Sequence, residues 1–140
     1  MKILLAPMEG VIDHHMRAIL TGVGGYDGCV TEFLRITDQQ LPARVFKRTA
    51  PELLGDAHTP TGQPVIFQLL GGDPEMMAFN ARKAVELAPA QVRYRLTLAT
   101  TYARAGMAQS ALKELERAAE MDPKNSEITE LRRRVERGET

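Results

Sequence analysis

Residues 77–89 read MAFNARKAVELAP, and two kinds of fold meet in them. Followed from the left, the segment is the helix that comes after a strand in an α/β structure. Followed from the right, it is the second helix of a repeated helical hairpin. The period carries the second sense: Ala84 and Pro89 in RKAVELAP return as Ala118 and Pro123 in ERAAEMDP, each 34 residues on. A fixed offset of that size marks stacked helical repeats. The spacing predicts one helix over residues 73–88, shared by a first half (residues 1–88) and a second (residues 89–140).

Composition divides near the same place. Nine of the 11 glycines lie in residues 1–72. Of the 18 basic residues, 12 lie in residues 73–140, where 11 acidic ones balance them. Glycine punctuation suits strands and tight connections, and a glycine-poor Ala/Leu/Glu/Arg mixture suits continuous helix. Lys+Arg and Asp+Glu are 18 each, so no global basic field advertises nucleic acid. A single cysteine excludes an internal disulfide and fits a reducing compartment. Ile3-Leu4-Leu5-Ala6 is too short for a signal-peptide core or a membrane span. The expectation is a soluble cytoplasmic protein.

Lys2–Ala6 reads as a buried strand before a proline. Asp13 can cap a following helix with Met16, Ile19 and Leu20 on its inner face. Gly22–Gly28 is a turn-rich connection, and Cys29–Phe33 a second strand. A short helix falls within Gln39–Arg48, begun near Pro42. Pro64–Leu70 is a third apolar strand, ended by Gly71-Gly72. Asp73-Pro74 then supplies an N-cap and a first-turn proline. Strands and helices in this order open a parallel α/β structure.

LLAPMEGVID at 4–13, CVTEFLR at 29–35, LPARVF at 41–46 and VIFQLLGGDP at 65–74 resemble the N-terminal part of a tRNA-dihydrouridine synthase, nearest to the bacterial C-type subfamily. The resemblance covers roughly residues 1–88. It implies the first strands and helices of a TIM barrel that carries flavin mononucleotide (FMN). It also implies a reaction, reduction of a uridine in tRNA to 5,6-dihydrouridine, with NADPH as reductant and a cysteine on a later loop as proton donor. Carried onto this sequence, it puts Pro7, Met8 and Glu9 at the rim where the first strand ends, the face on which barrel active sites form. Gln68 would hydrogen-bond the isoalloxazine ring, and Arg35 would contact tRNA. An amide offers the ring edge both a donor and an acceptor, and a guanidinium suits phosphate.

Each residue also has a plainer reading. Pro7 and Met8 could end a strand and fill a core. Arg35 alone would be a surface arginine. Gln68 is odder, because a buried amide must find partners. His14 and His15 are adjacent on a helix, so they point in different directions and read as surface residues. Cys29, inside an apolar strand, reads as an inert buried thiol rather than the family's catalytic cysteine.

The resemblance breaks after residue 88. Where the family continues into a fourth strand and an Asn-Cys-Gly-Cys-Pro-like loop, this sequence continues PAQVRYRLTLATTYA. No cysteine follows Cys29, and the glycine-rich loops that would hold the FMN phosphate have no counterpart. An eight-stranded barrel takes about 200 residues or more, against about three strands' worth here.

In the second half, Val92, Leu96, Ala99 and Ala103 line one helical face, with Leu98, Tyr102 and Ala105 beside it. Ala105-Gly106-Met107 breaks the helix, and Ala111, Leu115 and Ala118 form the inner face of the next. Leu98, Ala99, Tyr102, Gly106, Ala111, Leu115, Ala118 and Pro123 resemble the tetratricopeptide (TPR) signature. Arg95 stands where that signature has a large aromatic residue, with Tyr94 beside it. Asn125-Ser126 can cap a last helix, Glu127–Glu136, with a narrow apolar stripe of Ile128, Leu131 and Val135, as a terminal capping helix has. Its arginines alternate with glutamates and read as a solvated face rather than an RNA-binding one.

The expected fold class is therefore an α/β fragment, the first strands and helices of a TIM barrel, followed by an all-α TPR-like hairpin with a capping helix. The whole reads as a chimera or fusion. Three functional classes remain in view: an FMN-dependent tRNA-dihydrouridine synthase, a TPR-type module offering its helices to a protein or peptide partner, and the product of a truncated or artificially joined gene, with no evolved function. Open sheet edges add possible self-association. With no catalytic cysteine and no phosphate site, FMN binding is expected to be weak or absent and the chain inactive as written.

Overall fold

The computed structural model describes residues 1–139. In chain order it holds β1 (Leu4–Leu5), α1 (His14–Val23), β2 (Gly28–Arg35), α2 (Ala43–Thr49), a 3-10 turn at Pro51–Gly55, β3 (Val65–Leu70), α3 (Pro74–Leu87), α4 (Val92–Arg104), α5 (Ala108–Met121) and α6 (Ser126–Glu136). The strands form one parallel sheet in the order β1-β2-β3. An α/β opening thus runs into a helical stack.

β1 is shorter than the apolar run predicts. The Asp27 carboxylate takes the Ile3 N–H at 2.6 Å, and the Asp27 N–H returns a bond to the Ile3 carbonyl at 2.7 Å, so Ile3 is spent on the connection before β2. β2 is longer than predicted and carries an irregularity between Val30 and Phe33.

On α1, Asp13 caps as expected, accepting from the Met16 N–H at 2.9 Å. The inner face differs. Ile19 is 59% exposed, whereas Arg17 and Thr21 are buried. Arg17 packs because its charge is answered: Nε and Nη2 donate to the Glu52 carboxylate at 2.7 and 3.0 Å, and Nη2 also donates to the Thr49 carbonyl at 3.1 Å. Met16 and Leu20 do pack, against a small core of Leu5, Ile12, Cys29 and Val65.

α3 forms as the sequence predicts. Asp73 accepts from the N–H groups of Glu75 and Met76 at 2.8 and 3.1 Å, and Pro74 opens the helix. One face buries Ala78, Ala81, Ala84 and Val85. These small residues let α4 approach closely, and they join Phe46 and Leu53 of the first half to Leu98, Tyr102 and Leu115 of the second in one hydrophobic cluster. Asn80 is buried within α3 and satisfied: Oδ1 accepts from the Leu41 N–H at 2.9 Å and Nδ2 donates to the Met76 carbonyl at 2.8 Å.

The 34-residue period is present in the backbone. α3 starts at Pro74 and α5 at Ala108; α4 starts at Val92 and α6 at Ser126. The two intervening turns also match. Ala88 donates to the Ala84 carbonyl at 3.0 Å, and Asp122 to that of Ala118 at 2.9 Å. Gln91 donates to the Ala88 carbonyl and Asn125 to that of Asp122, each at 3.2 Å. The predicted inner residues Leu98, Ala99, Tyr102, Ala111, Leu115 and Ala118 are all buried. Among the described residues, no helix is long and apolar enough to cross a membrane.

Candidate functional site

The sheet has two faces because successive side chains alternate. Leu5, Cys29 and Val65 point into the small core beneath α1. On the sheet's far side, Leu4 and Leu70 remain 45% and 44% exposed. The candidate residues gather toward the C-terminal ends of the strands.

Pro7, Met8 and Glu9 follow β1 directly and are all exposed. The chain then turns tightly, with the Val11 and Ile12 N–H groups both donating to the Met8 carbonyl at 3.0 and 2.9 Å. Gly10 adopts a φ of 73°, a region that favours glycine, and its N–H donates to Glu32 Oε1 at 2.6 Å. Glu32 reaches that turn because of the irregularity in β2. Thr31 there accepts from the Gln68 N–H at 3.0 Å through its hydroxyl and donates to the Glu32 carbonyl at 2.8 Å. A side-chain oxygen thus replaces a ladder acceptor, and the strand re-aims Glu32, as bulges beside functional sites do. Sequence reading missed Thr31 and Glu32. TEF stood in a quoted segment, but nothing in it signals a bulge.

Gln68 lies opposite Phe33 in the β2–β3 register and is half-buried. It lines a cavity of about 290 Å³ between the free edge of β3 and the helices α3 and α4, shared with Met77, Ala81, Arg93 and Thr97. Arg35 ends β2, exposed, with its guanidinium 5.8 Å from the centre of the Phe33 ring. β1 and β3 flank β2, so Pro7–Glu9 follow the strand on one side of it and Gln68 lies in the strand on the other. The rim group and the amide share one end of the sheet without touching.

Two of the three helix starts beside this end, those of α1 and α3, meet an anion poorly. A helix N-terminus binds phosphate through free N–H groups, but Asp13 occupies that position on α1 and Asp73 on α3. The Met16 N–H holds the exposed Asp13 carboxyl below the usual carboxylate range. Gly71, before α3, is closely packed: an added Cβ would lie 2.8 Å from Met77 Sδ and 2.9 Å from the Ile36 carbonyl. Neither α1 nor α3 thus offers a free helix start to a phosphate group.

His14 and His15 lie closer than adjacency on a helix predicts. Their ring centroids are 3.9 Å apart, tilted by 38°, and they share a surface cavity with His58. Among the described residues, no group of three or more His, Cys, Asp or Glu is placed to hold a metal ion. Cys29 is fully buried, and desolvation pushes its thiol up to about 11.

Compared with known proteins, residues 4–92 match the family model described as dihydrouridine synthase. The tRNA-dihydrouridine(16) synthase of Ralstonia nicotianae is 53% identical over 88 residues, which are 63% of this chain and 27% of that protein. The enzyme of the same name from Escherichia coli K12 is 54% identical over 87 residues, 62% of this chain and 28% of that one. The chain therefore spans just over a quarter of the length of these curated relatives.

Proposed function

The chain belongs to the dihydrouridine synthase family, and from that premise we propose that residues 1–88 are the opening strands and helices of a tRNA-dihydrouridine synthase barrel, joined through α3 to a TPR-like helical module. In a complete enzyme of this kind, a bound flavin mononucleotide, reduced by NADPH, would supply the hydride for reduction of a tRNA uridine to dihydrouridine. We assign Pro7, Met8, Glu9 and Gln68 to the ring edge of that cofactor and Arg35 to a tRNA contact. The 140 residues alone form dihydrouridine too slowly to matter.

One observation carries the second clause. The capping carboxylates of Asp13 and Asp73 fill the N-termini of α1 and α3, the helices that follow β1 and β3. A phosphate there would meet like charge in place of free N–H donors. The proton donor is missing too. Cys29 cannot serve, being fully buried beneath α1 where no substrate reaches it, and loss of a general acid costs about a hundredfold or more in rate.

A second reading, an interaction module for a protein or peptide, is favoured by the matched starts of α3 with α5 and α4 with α6. Titrating the protein with FMN and following flavin fluorescence tests the first. Weak or absent quenching is expected, and any that is seen should fall further on Gln68→Ala. Flavin that copurifies in stoichiometric amounts would overturn the proposal.

A further inference from the structure

Four consecutive residues of β3, Ile66, Phe67, Gln68 and Leu69, line the cavity of about 290 Å³. Successive side chains of a strand point to opposite faces. A cavity touched by all four therefore opens on the edge of the strand, not on one face of the sheet. The backbone agrees. Pro64 and Leu70 turn their carbonyls toward the β2 side, accepting from the Cys29 and Ile36 N–H groups at 3.0 and 2.7 Å. The Gln68 N–H donates to the Thr31 hydroxyl on that same side at 3.0 Å. Val65 faces the other way, with its N–H on the Ala57 carbonyl at 2.7 Å. Alternation then turns the main-chain groups of Phe67 and Leu69 outward with those of Val65.

The Tyr94 hydroxyl covers the start of this edge, at the Val65 carbonyl and the Phe67 N–H. Beyond it, the Phe67 carbonyl and both main-chain groups of Leu69 have no hydrogen-bond partner among the described residues. The strand, VIFQLL, also carries no charge and no proline to blunt its edge. A carbonyl, an N–H and a carbonyl in a row along a strand are what another extended main chain matches. The groove beside them has a floor and a wall. Met77, Ala81 and Ala84 of α3 make an apolar floor, and Arg93 and Thr97 of α4 stand along the far side. Arg93 is the charged member of the lining, is exposed, and forms no ion pair among the described residues.

We propose that the β3 edge from Phe67 to Leu69 accepts an extended peptide segment of another protein as an added strand, with an apolar side chain over Met77, Ala81 and Ala84 and an acidic one beside Arg93. The main-chain groups supply affinity in either strand direction, and the floor and Arg93 supply selectivity. A second copy of this chain fits less well, because its own β3 edge comes flanked by its own α4. The site uses main-chain groups and does not rest on the flavin reading.

Selection of a random heptapeptide library, displayed on phage, against the full chain tests this. Enriched sequences should combine alternating apolar residues with an acid. A labelled synthetic peptide of the enriched sequence should then bind one-to-one in fluorescence anisotropy. N-methylation of a peptide residue that faces the edge should weaken binding about tenfold, and methylation of the next residue should not. Leu69→Pro removes an outward N–H and should abolish binding. It also trims a partly buried side chain, so Thr97→Tyr, which fills the groove from an exposed position on α4, should abolish binding with the melting temperature unchanged. Arg93→Glu should weaken the acidic peptide about fivefold, the scale of an exposed ion pair. No enrichment, binding indifferent to Thr97→Tyr, or N-methyl effects without a two-residue period would each overturn the proposal. So would a dimer in sedimentation velocity that Thr97→Tyr dissociates, since the groove would then belong to a second copy.

Discussion

The Tyr94 phenol donates to the Val65 main-chain carbonyl at 2.7 Å, tying the first helix beyond the junction to the outer strand of the sheet. Val65 presents its N–H to the same side, where it meets the Ala57 carbonyl at 2.7 Å. The β3 edge is thus closed at its start by a loop and a tyrosine, in place of another strand. An open strand edge invites pairing with other chains, and covering it with a helix is one of the ways proteins prevent that. Burial pushes the Tyr94 hydroxyl upward in pKa, so it remains a donor at neutral pH.

Tyr94→Phe keeps the ring and removes the donor. The Val65 carbonyl is then left unsatisfied, which costs about 1–3 kcal/mol. Urea denaturation followed by circular dichroism should show that loss in a single transition, because the two halves share one hydrophobic cluster. Loss of sheet signal with the helices unaffected would mean that the halves unfold separately.

Arg17 and Glu52 are an ion pair whose side chains are 1% and 7% exposed. Removing one partner strands the other charge, at about 3–5 kcal/mol, whereas replacing both with apolar residues is far milder. Arg17→Met should be strongly destabilising in thermal melts, and Arg17→Met with Glu52→Leu should recover most of the loss. A double variant no better than the single one would contradict this.

The Cys29 thiol is raised from 9.0 to about 11, chiefly by desolvation. A thiol reagent should react with it slowly in the native protein and rapidly in denaturant. The sign of the pH effect follows. The folded state holds the proton more tightly, so this contribution to stability is full below pH 9.0 and is lost as pH rises toward about 11. Cys29→Ala should flatten that alkaline decline, and an unchanged decline would assign it to other groups.

Much of the architecture was legible because local signals agreed. Asp73-Pro74 started α3 where the sequence placed it, and the return of Ala84 and Pro89 as Ala118 and Pro123 foretold matched helix starts. What escaped was non-local. Arg17 meets Glu52 35 residues away, and no periodicity announces a buried cation, so Ile19 was assigned a place in the core that the guanidinium holds. Tyr94 was noted only as a neighbour of Arg95. Its role depends on an edge carbonyl 29 residues earlier. At the candidate site, Pro7–Glu9 and Gln68 came from family likeness. Thr31 and Glu32 were hidden because a bulge needs a partner strand to exist.

Hydrogen exchange should rank the elements. α4 and α5 bury Leu98, Ala99, Ala111 and Leu115 completely, whereas β1 pairs through two residues and leaves Leu4 exposed. Amides of α4 and α5 should exchange most slowly and those of β1 fastest. Slower exchange in β1 in a monomeric sample would contradict this ranking. Slow exchange there only at high concentration would show self-association through the open sheet face.

On the function proposed above, these 140 residues hold ring-edge positions of a dihydrouridine synthase and do not turn over. The most direct measurement is mass spectrometry of unmodified tRNA after incubation with the protein, FMN and NADPH. No dihydrouridine above a protein-free control is expected. Dihydrouridine that forms with the native chain and disappears on Gln68→Ala would contradict it.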